Sequence, residues 1–240
     1  MAQSPLRDIE SALRQSGLIL RGGFDIGESE RDLFPEAPGG QRPRAIALIG
    51  AAGGSFWNAF SAWMAADPAR PAFADPLDAW TREIVTPLAD ASGARAIYPF
   101  EPPWQPFQRW AQAAEPVHPS PVGIFIHPDY GLWHAYRAAL VYAMPLGFAA
   151  PDPQPSPCET CADKPCLSGC PAGAFSADGY DLATCAGHLA APESRDCHLV
   201  GCRARDACPV GRDYRYGEVQ RRFHMAAFIR ARGVEPVAGG

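Results

Sequence analysis

The sequence predicts an α/β or α+β domain over residues 1–150, followed by a small cysteine-rich module over residues 158–240 that closes with a helix. Three observations carry this expectation. Short apolar runs alternate with helix-period segments through the first part, the pattern of helices layered on a sheet. The alternating prolines of Pro151-Asp-Pro153-Gln-Pro155-Ser-Pro157 make a stiff, extended linker over residues 151–157. All eight cysteines fall beyond that linker, between Cys158 and Cys208.

Residues 3–16 read as an amphipathic helix, with Leu6, Ile9 and Leu13 on one face. A strand over Leu18–Phe24 and a polar loop with Pro and Gly, residues 27–43, follow. Ala45–Ile49 reads as a short buried strand running into Gly50-Ala-Ala-Gly53-Gly54-Ser55, where Ser55 is placed to cap a helix bearing Phe56, Trp57, Phe60 and Trp63. The glycines suggest a phosphate cradle, but they match neither dinucleotide nor P-loop spacing, and a tight turn explains them equally well. Helices are expected over Leu77–Ala89 and Gln105–Ala113, with a strand at Arg95–Tyr98. A fourth strand is expected at Val122–Ile126 and a further helix near Leu132–Tyr142. After the last cysteine, Tyr216–Arg232 reads as a helix with Val219, Phe223, Ala226, Ala227 and Arg230 along one side, packing back onto the first domain.

A chain of 240 residues is long enough to bury a substantial core. No apolar run approaches the ~18 residues of a membrane span. The charged start, Met1 to Arg14, lacks the apolar core of a secretory signal. A cytoplasmic protein with no membrane association is therefore expected. In that compartment clustered cysteines serve as metal ligands or in catalysis rather than as disulfides. Net charge is −5 and Lys164 is the only lysine. With no basic or basic-aromatic strip, nucleic acid is disfavoured as a partner.

The cysteines form two blocks, each ending in Cys-Pro: Cys158-x2-Cys161-x4-Cys166-x3-Cys170-Pro171 and Cys185-x11-Cys197-x4-Cys202-x5-Cys208-Pro209. In two-cluster ferredoxins three cysteines of one block bind one cubane, and the Cys before Pro crosses to the other. That rule assigns Cys158, Cys161, Cys166 and Cys208 to one [4Fe–4S] cluster. It assigns Cys185, Cys197, Cys202 and Cys170 to a second, with none left over. Cys170-Pro-Ala-Gly173 and Cys208-Pro-Val-Gly211 read as halves of a duplicated unit, and their glycines would let backbone pass close to a cluster. Structural zinc is the competing reading. It favours C-x2-C doublets in both halves, and the second block has none.

Cys158-Glu-Thr-Cys161…Cys166-Leu-Ser-Gly-Cys170-Pro-Ala-Gly-Ala-Phe175, then Tyr180-Asp-Leu-Ala-Thr-Cys185, resembles the ferredoxin-type domain of epoxyqueuosine reductases. It departs from the CxxCxxCxxxCP pattern of those proteins by two extra residues between Cys161 and Cys166, and by a shorter gap from Cys185 to Cys197. The resemblance implies two [4Fe–4S] clusters behind a cobalamin-binding domain related to flavin nitroreductase folds. Ile126-His-Pro-Asp-Tyr-Gly131-Leu-Trp133 is also similar to a segment of CblC-type vitamin B12-processing proteins. Tyr98-Pro-Phe100-Glu101 falls where the reductases place an acidic residue over the corrin, so the resemblance makes Glu101 the candidate acid.

His127, Arg137 and Trp104 are the candidates to line a corrinoid or other cofactor pocket in the first domain. Against that, a His at a strand end is commonly a turn residue, and Arg137 would serve equally well in a surface salt bridge. Trp104 stands apart from the other tryptophans, which read as core, because it lies in a proline-rich loop beside Glu101. His198, next to Cys197, reads as a neighbouring surface histidine rather than a ligand. The expectation is an iron–sulfur electron-transfer protein served by a soluble donor and acceptor, delivering electrons to its N-terminal domain or to a partner. One alternative is an oxidoreductase using cobalamin or, less favoured, flavin. The other is a zinc-binding structural module.

Overall fold

The computed structural model describes residues 5–234. In chain order, α1 (Pro5–Ser16) leads into β1 (Ile19–Asp25), a loop with two 3-10 turns, and β2 (Ala45–Ala52). Next come α2 (Trp57–Ala65), α3 (Pro76–Ala91), β3 (Ala94–Ile97) and α4 (Phe107–Ala114). A small hairpin of β4 (His118–Pro119) and β5 (Phe125–Ile126) precedes β6 (His134–Tyr142). The remaining elements are short: α5 (Pro157–Thr160), α6 (Pro165–Ser168), β7 (Phe175–Ser176), β8 (Gly179–Tyr180), α7 (Leu182–Leu189), α8 (Arg195–Val200) and α9 (Arg203–Ala207). The longer α10 (Glu218–Ala231) ends the series. Two compact units result. One comprises the chain up to Pro116 with Ala135–Pro153, and the other comprises Val117–His134 with the chain from Gln154 onward.

The first unit is built on a four-stranded sheet in the order β1-β2-β6-β3. β1 runs antiparallel to β2 from Ile19↔Gly50 to Asp25↔Ala45, and β3 antiparallel to β6 from Ala94↔Tyr142 to Ile97↔Ala139. At one end of the central pair the Arg44 N–H donates to the Tyr142 carbonyl, and at the other Gly50 faces the Ala135 carbonyl, again the antiparallel sense. Of the two expected classes the unit is therefore α+β. Ala45 to Ile49 are wholly buried, which is why that run is apolar at every position. The helices present periodic faces to the core: Leu77, Trp80, Val85 and Ala89 from α3, and Phe107, Trp110, Ala111 and Ala114 from α4. Phe56, Phe60 and Trp80 interlock, with ring centroids 5.7–6.5 Å apart. Arg21, buried on β1, forms a bidentate pair with Glu115 at 2.7 and 2.6 Å, and the Tyr136 hydroxyl donates to the same carboxylate.

Several expected elements differ. Residues 132–142, read as a helix, contain the strand β6. Ala138–Tyr142 are buried throughout, and a continuous apolar run does not distinguish a central strand from a buried helix. The expected strand Val122–Ile126 is reduced to Phe125–Ile126. Ser55 does not cap α2, and its hydroxyl donates instead to the Gly17 carbonyl at 2.6 Å. β2 runs on through Ala52, so Gly50 is a sheet position. A Cβ there would lie 2.0 Å from the Ala135 carbonyl oxygen, so the glycine serves strand packing rather than a phosphate cradle.

In the second unit, Val122, Ile126, Leu132, Phe175, Ala204 and Cys208 form one core cluster, and Leu189, Cys197 and Ile229 another. Val117–His134, expected in the first domain, folds here because two turns interlock. Gly131 (φ +57) and Gly211 (φ +67) lie so close that a Cβ on Gly131 would stand 2.1 Å from the Val210 carbonyl oxygen. A Cβ on Gly211 would stand 2.3 Å from the Tyr130 carbonyl carbon. Gly211 thus admits the Tyr130–Gly131 backbone, while Gly173 has nothing within 4 Å of its added Cβ. α10 packs against α8 in this same unit, turning Gln220 and Ile229 inward. The face expected to pack is not the buried one, since Val219 is 70% exposed.

Candidate metal centre

The short elements of the second unit place each thiol at a turn or a helix end. Ser156 caps α5 by accepting the Cys158 N–H at 3.3 Å, and Cys161 follows the helix. Lys164 takes a left-handed conformation (φ 38) at the start of α6, folding the x4 spacer into a turn before Cys166. Asp181 caps α7 by accepting the Thr184 N–H at 2.9 Å, which fixes the helix bearing Cys185. Cys197 lies on α8, and Cys202 and Cys208 flank α9. All eight cysteines are free thiols.

The thiols collect into two groups of four. Cys158, Cys161, Cys166 and Cys208 line one small cavity, together with Ile126, Pro157, Pro165 and Val210. Burial pushes the Cys208 thiol up, the Val210 N–H counters it, and Cys158, Cys166 and Cys161 push it further up. Cys197 is pushed up to about 11, by burial first and then by Cys202, Cys170 and Cys185. Each Cys-Pro thiol thus stands among three cysteines of the opposite block. Burial also raises Cys158, Cys166, Cys185 and Cys202. The backbone N–H groups of Arg205 and Ala204 point at Cys202, and that of Leu167 at Cys166. Buried and half-buried thiols with N–H donors directed at sulfur are the kind of donors a soft metal takes, and such a metal deprotonates them on binding. Among the described residues, no group of three or more His, Cys, Asp or Glu side chains has the arrangement of a site for one metal ion.

A second, larger cavity of about 410 Å³ opens against the other thiol group, where Cys185 and Cys202 form part of its wall. Phe175 and Tyr180 stack at 4.6 Å on one side. Trp133 and Tyr216 pack edge to face at 5.2 Å, and Arg205 stands against both rings, at 4.5 and 4.7 Å, while its guanidinium donates to the Leu132 carbonyl at 3.1 and 2.5 Å. Burial first, and then the neighbouring Cys185 thiol, hold the Tyr180 phenol well above its ordinary range. Sequence reasoning missed Tyr180, Arg205 and Arg221 at this cavity. The one available signal was position, since Tyr180 precedes Cys185 and Arg205 lies inside the Cys202-x5-Cys208 loop.

The remaining candidates are dispersed. Glu101 is 40% exposed and pairs with Arg82, whose guanidinium lies 4.8 Å over Phe100. Arg137 lies 5.2 Å over the same ring, but it also pairs with Asp78 at 2.6 Å and donates to Thr81 and the Leu77 carbonyl. Trp104 is 71% exposed. His127 is buried in its own turn, where Nδ1 accepts the N–H groups of Asp129 and Tyr130 at 3.0 and 3.3 Å and the ring stacks on Tyr130. The His198 ring bonds the Leu189 carbonyl at 2.9 Å. Phe100 is thus shared by Arg82 and Arg137, while Trp104 projects outward and His127 organises a hairpin.

No family model and no curated protein matches the chain in sequence. In fold it is similar to CblC, a B12-trafficking protein from C. elegans, at 15% identity and a TM-score of 0.56, over 92% of this chain and 90% of that one. It is also similar to an epoxyqueuosine reductase, at 14% identity and a TM-score of 0.51, over 90% of this chain and 67% of the reductase. The fold is therefore the mixed helix-and-sheet architecture that CblC and epoxyqueuosine reductase share.

Proposed function

We propose that the chain is an iron–sulfur electron-transfer protein in which Cys158, Cys161, Cys166 and Cys208 hold one [4Fe–4S] cluster and Cys170, Cys185, Cys197 and Cys202 hold another. The observation that carries the reading is the crossed grouping of the thiols. Each cluster, when bound, supplies one-electron transfer. The chain's own residues hold it through thiolates, exclude water with Ile126, Phe175 and Leu189, and direct backbone N–H groups at sulfur, which tunes the potential. A zinc site needs four donors converging at about 2.3 Å from one ion, and among the described residues no group has the arrangement of a single-ion site. Soluble donor and acceptor proteins are the partners that this reading requires. Anaerobic purification followed by metal and sulfide analysis tests it. About eight irons per chain with matching sulfide is the expected result, and one or two zincs in a colourless protein would end the reading.

The likeness to CblC favours a second reading, a cobalamin-dependent reductase in which the first unit binds a corrinoid reduced through the clusters. In that reading Glu101 donates a proton, which requires its pair with Arg82 to open. Arg137 is engaged by Asp78, Trp104 is exposed and His127 folds with the second unit, so the reading rests on fold rather than on those side chains. Titration of cob(II)alamin into the iron-loaded chain decides it. Saturable binding with a spectral shift supports a corrinoid site, and an unchanged spectrum at micromolar corrinoid removes it.

A further inference from the structure

Cys202 and Cys208 flank α9, so a helix of five residues joins a thiol of one group to a thiol of the other. Cys202 is its cap residue, with extended backbone (φ −64, ψ 114), and the Cys202 carbonyl accepts the Asp206 N–H at 3.0 Å. The second and third N–H groups of a helix point back at the cap's side chain, and here they belong to Ala204 and Arg205. Burial pushes the Cys202 thiol up, and these two N–H groups act against it, although neither closes a hydrogen bond to the thiol. A thiol is a weak acceptor, and a thiolate takes such N–H groups far more strongly. So short a helix does not hold itself in place, because its backbone closes few internal bonds. The Arg205 side chain supplies an anchor from elsewhere in the chain. Its guanidinium donates twice to the carbonyl of Leu132, seventy-three residues earlier, at 3.1 and 2.5 Å. It also packs on the rings of Trp133 and Tyr216, and Leu132, Trp133 and Tyr216 are all buried.

We propose that Arg205 is a positioning residue of the second cluster: by fixing α9 on the Leu132 carbonyl, its side chain holds its own backbone N–H and that of Ala204 on the Cys202 sulfur. The inference rests on the cluster reading and deepens it, since it names a residue that sets the second cluster's potential without being a ligand. N–H donation to a ligand sulfur favours the more negative, reduced cluster and so raises the potential. The guanidinium is also a positive charge on the same cavity wall as Cys202, and charge alone would act in the same direction. The two effects separate by substitution. Lysine keeps the charge but lacks the planar fork that grips one carbonyl with two N–H groups while lying on two rings. Removing the Tyr216 ring loosens the anchor and leaves the charge in place.

The test is a redox titration followed by EPR on the intact, anaerobically purified chain, with iron and zinc measured on every sample. The second cluster's signal is the one that Cys170→Ser abolishes. Arg205→Met should lower that cluster's potential by about tenfold in the reduction equilibrium, ~59 mV for one electron, as for loss of one hydrogen bond to a charged acceptor. The first cluster's potential should stay where it was. Arg205→Lys should give at least half of that shift, and Tyr216→Leu a shift in the same direction. If Arg205→Met sheds the second cluster outright, the Lys and Tyr216→Leu variants carry the measurement. A second potential that neither of those two variants moves, or one that moves only together with the first, would overturn the proposal while the iron content still upholds the clusters. Zinc in place of iron would overturn the cluster reading and the proposal with it, and metal analysis scores that outcome before any potential is read.

Discussion

A thiol supplied from a distant block tests a ligand assignment more sharply than one from within it. Cys208 stands among Cys158, Cys161 and Cys166, and Cys170 acts on Cys197. Cys208→Ser should therefore remove about half the iron and the signals of the first cluster, and Cys170→Ser the other half, as read by metal analysis and EPR of the reduced protein. Arg137 makes a different prediction. Its pair with Asp78 is largely buried, so Arg137→Met should lower unfolding stability by about 2–3 kcal/mol in urea titration, whatever ligand the first unit binds. Residue-level chemistry was legible in the sequence only where spacing encoded it. The proximity of Cys158, Cys161, Cys166 and Cys208 is the part of the cysteine pattern that the structure shows. Glu101, Arg137 and His127 were visible as residue types, but their partners Arg82, Asp78 and the 127–131 turn depend on pairings that no local pattern specifies.

The turn at Gly131 and the turn after Cys208 behave as one interlocked element. Gly131→Ala adds a Cβ 2.1 Å from the Val210 carbonyl oxygen at a positive φ, so it should cost about 2 kcal/mol or more in unfolding experiments and weaken retention of the first cluster. On α10 the buried face separates two substitutions. Ile229→Ala should destabilise by about 3 kcal/mol. Val219→Asp, at an exposed site, should stay within about 0.5 kcal/mol, whereas the face expected from sequence would have made it costly. The long amphipathic helices and the strand Ala45–Ile49 were legible because periodicity or unbroken apolarity marks them. β6 was not, since Ala138–Tyr142 offers the same run to a buried helix and only its place beside β2 and β3 decides. Segment 117–134 was misplaced for a related reason. What ties it to the cysteine region is the contact of two glycines eighty residues apart, from 131 to 211.

At the scale of the molecule, the fold joins an antiparallel sheet unit to a unit that gathers every cysteine of the chain. Among the described residues no helix is long and apolar enough to cross a membrane. The architecture agrees with that of CblC and epoxyqueuosine reductase, and the fold alone does not specify the chemistry. The central claim is that the two thiol groups hold two cubanes. Iron and acid-labile sulfide per chain, measured on anaerobically purified protein alongside zinc, tests it most directly. About eight of each, with broad absorbance near ~400 nm, is the predicted result. Zinc in place of iron, or iron that Cys208→Ser and Cys170→Ser leave intact, would contradict it.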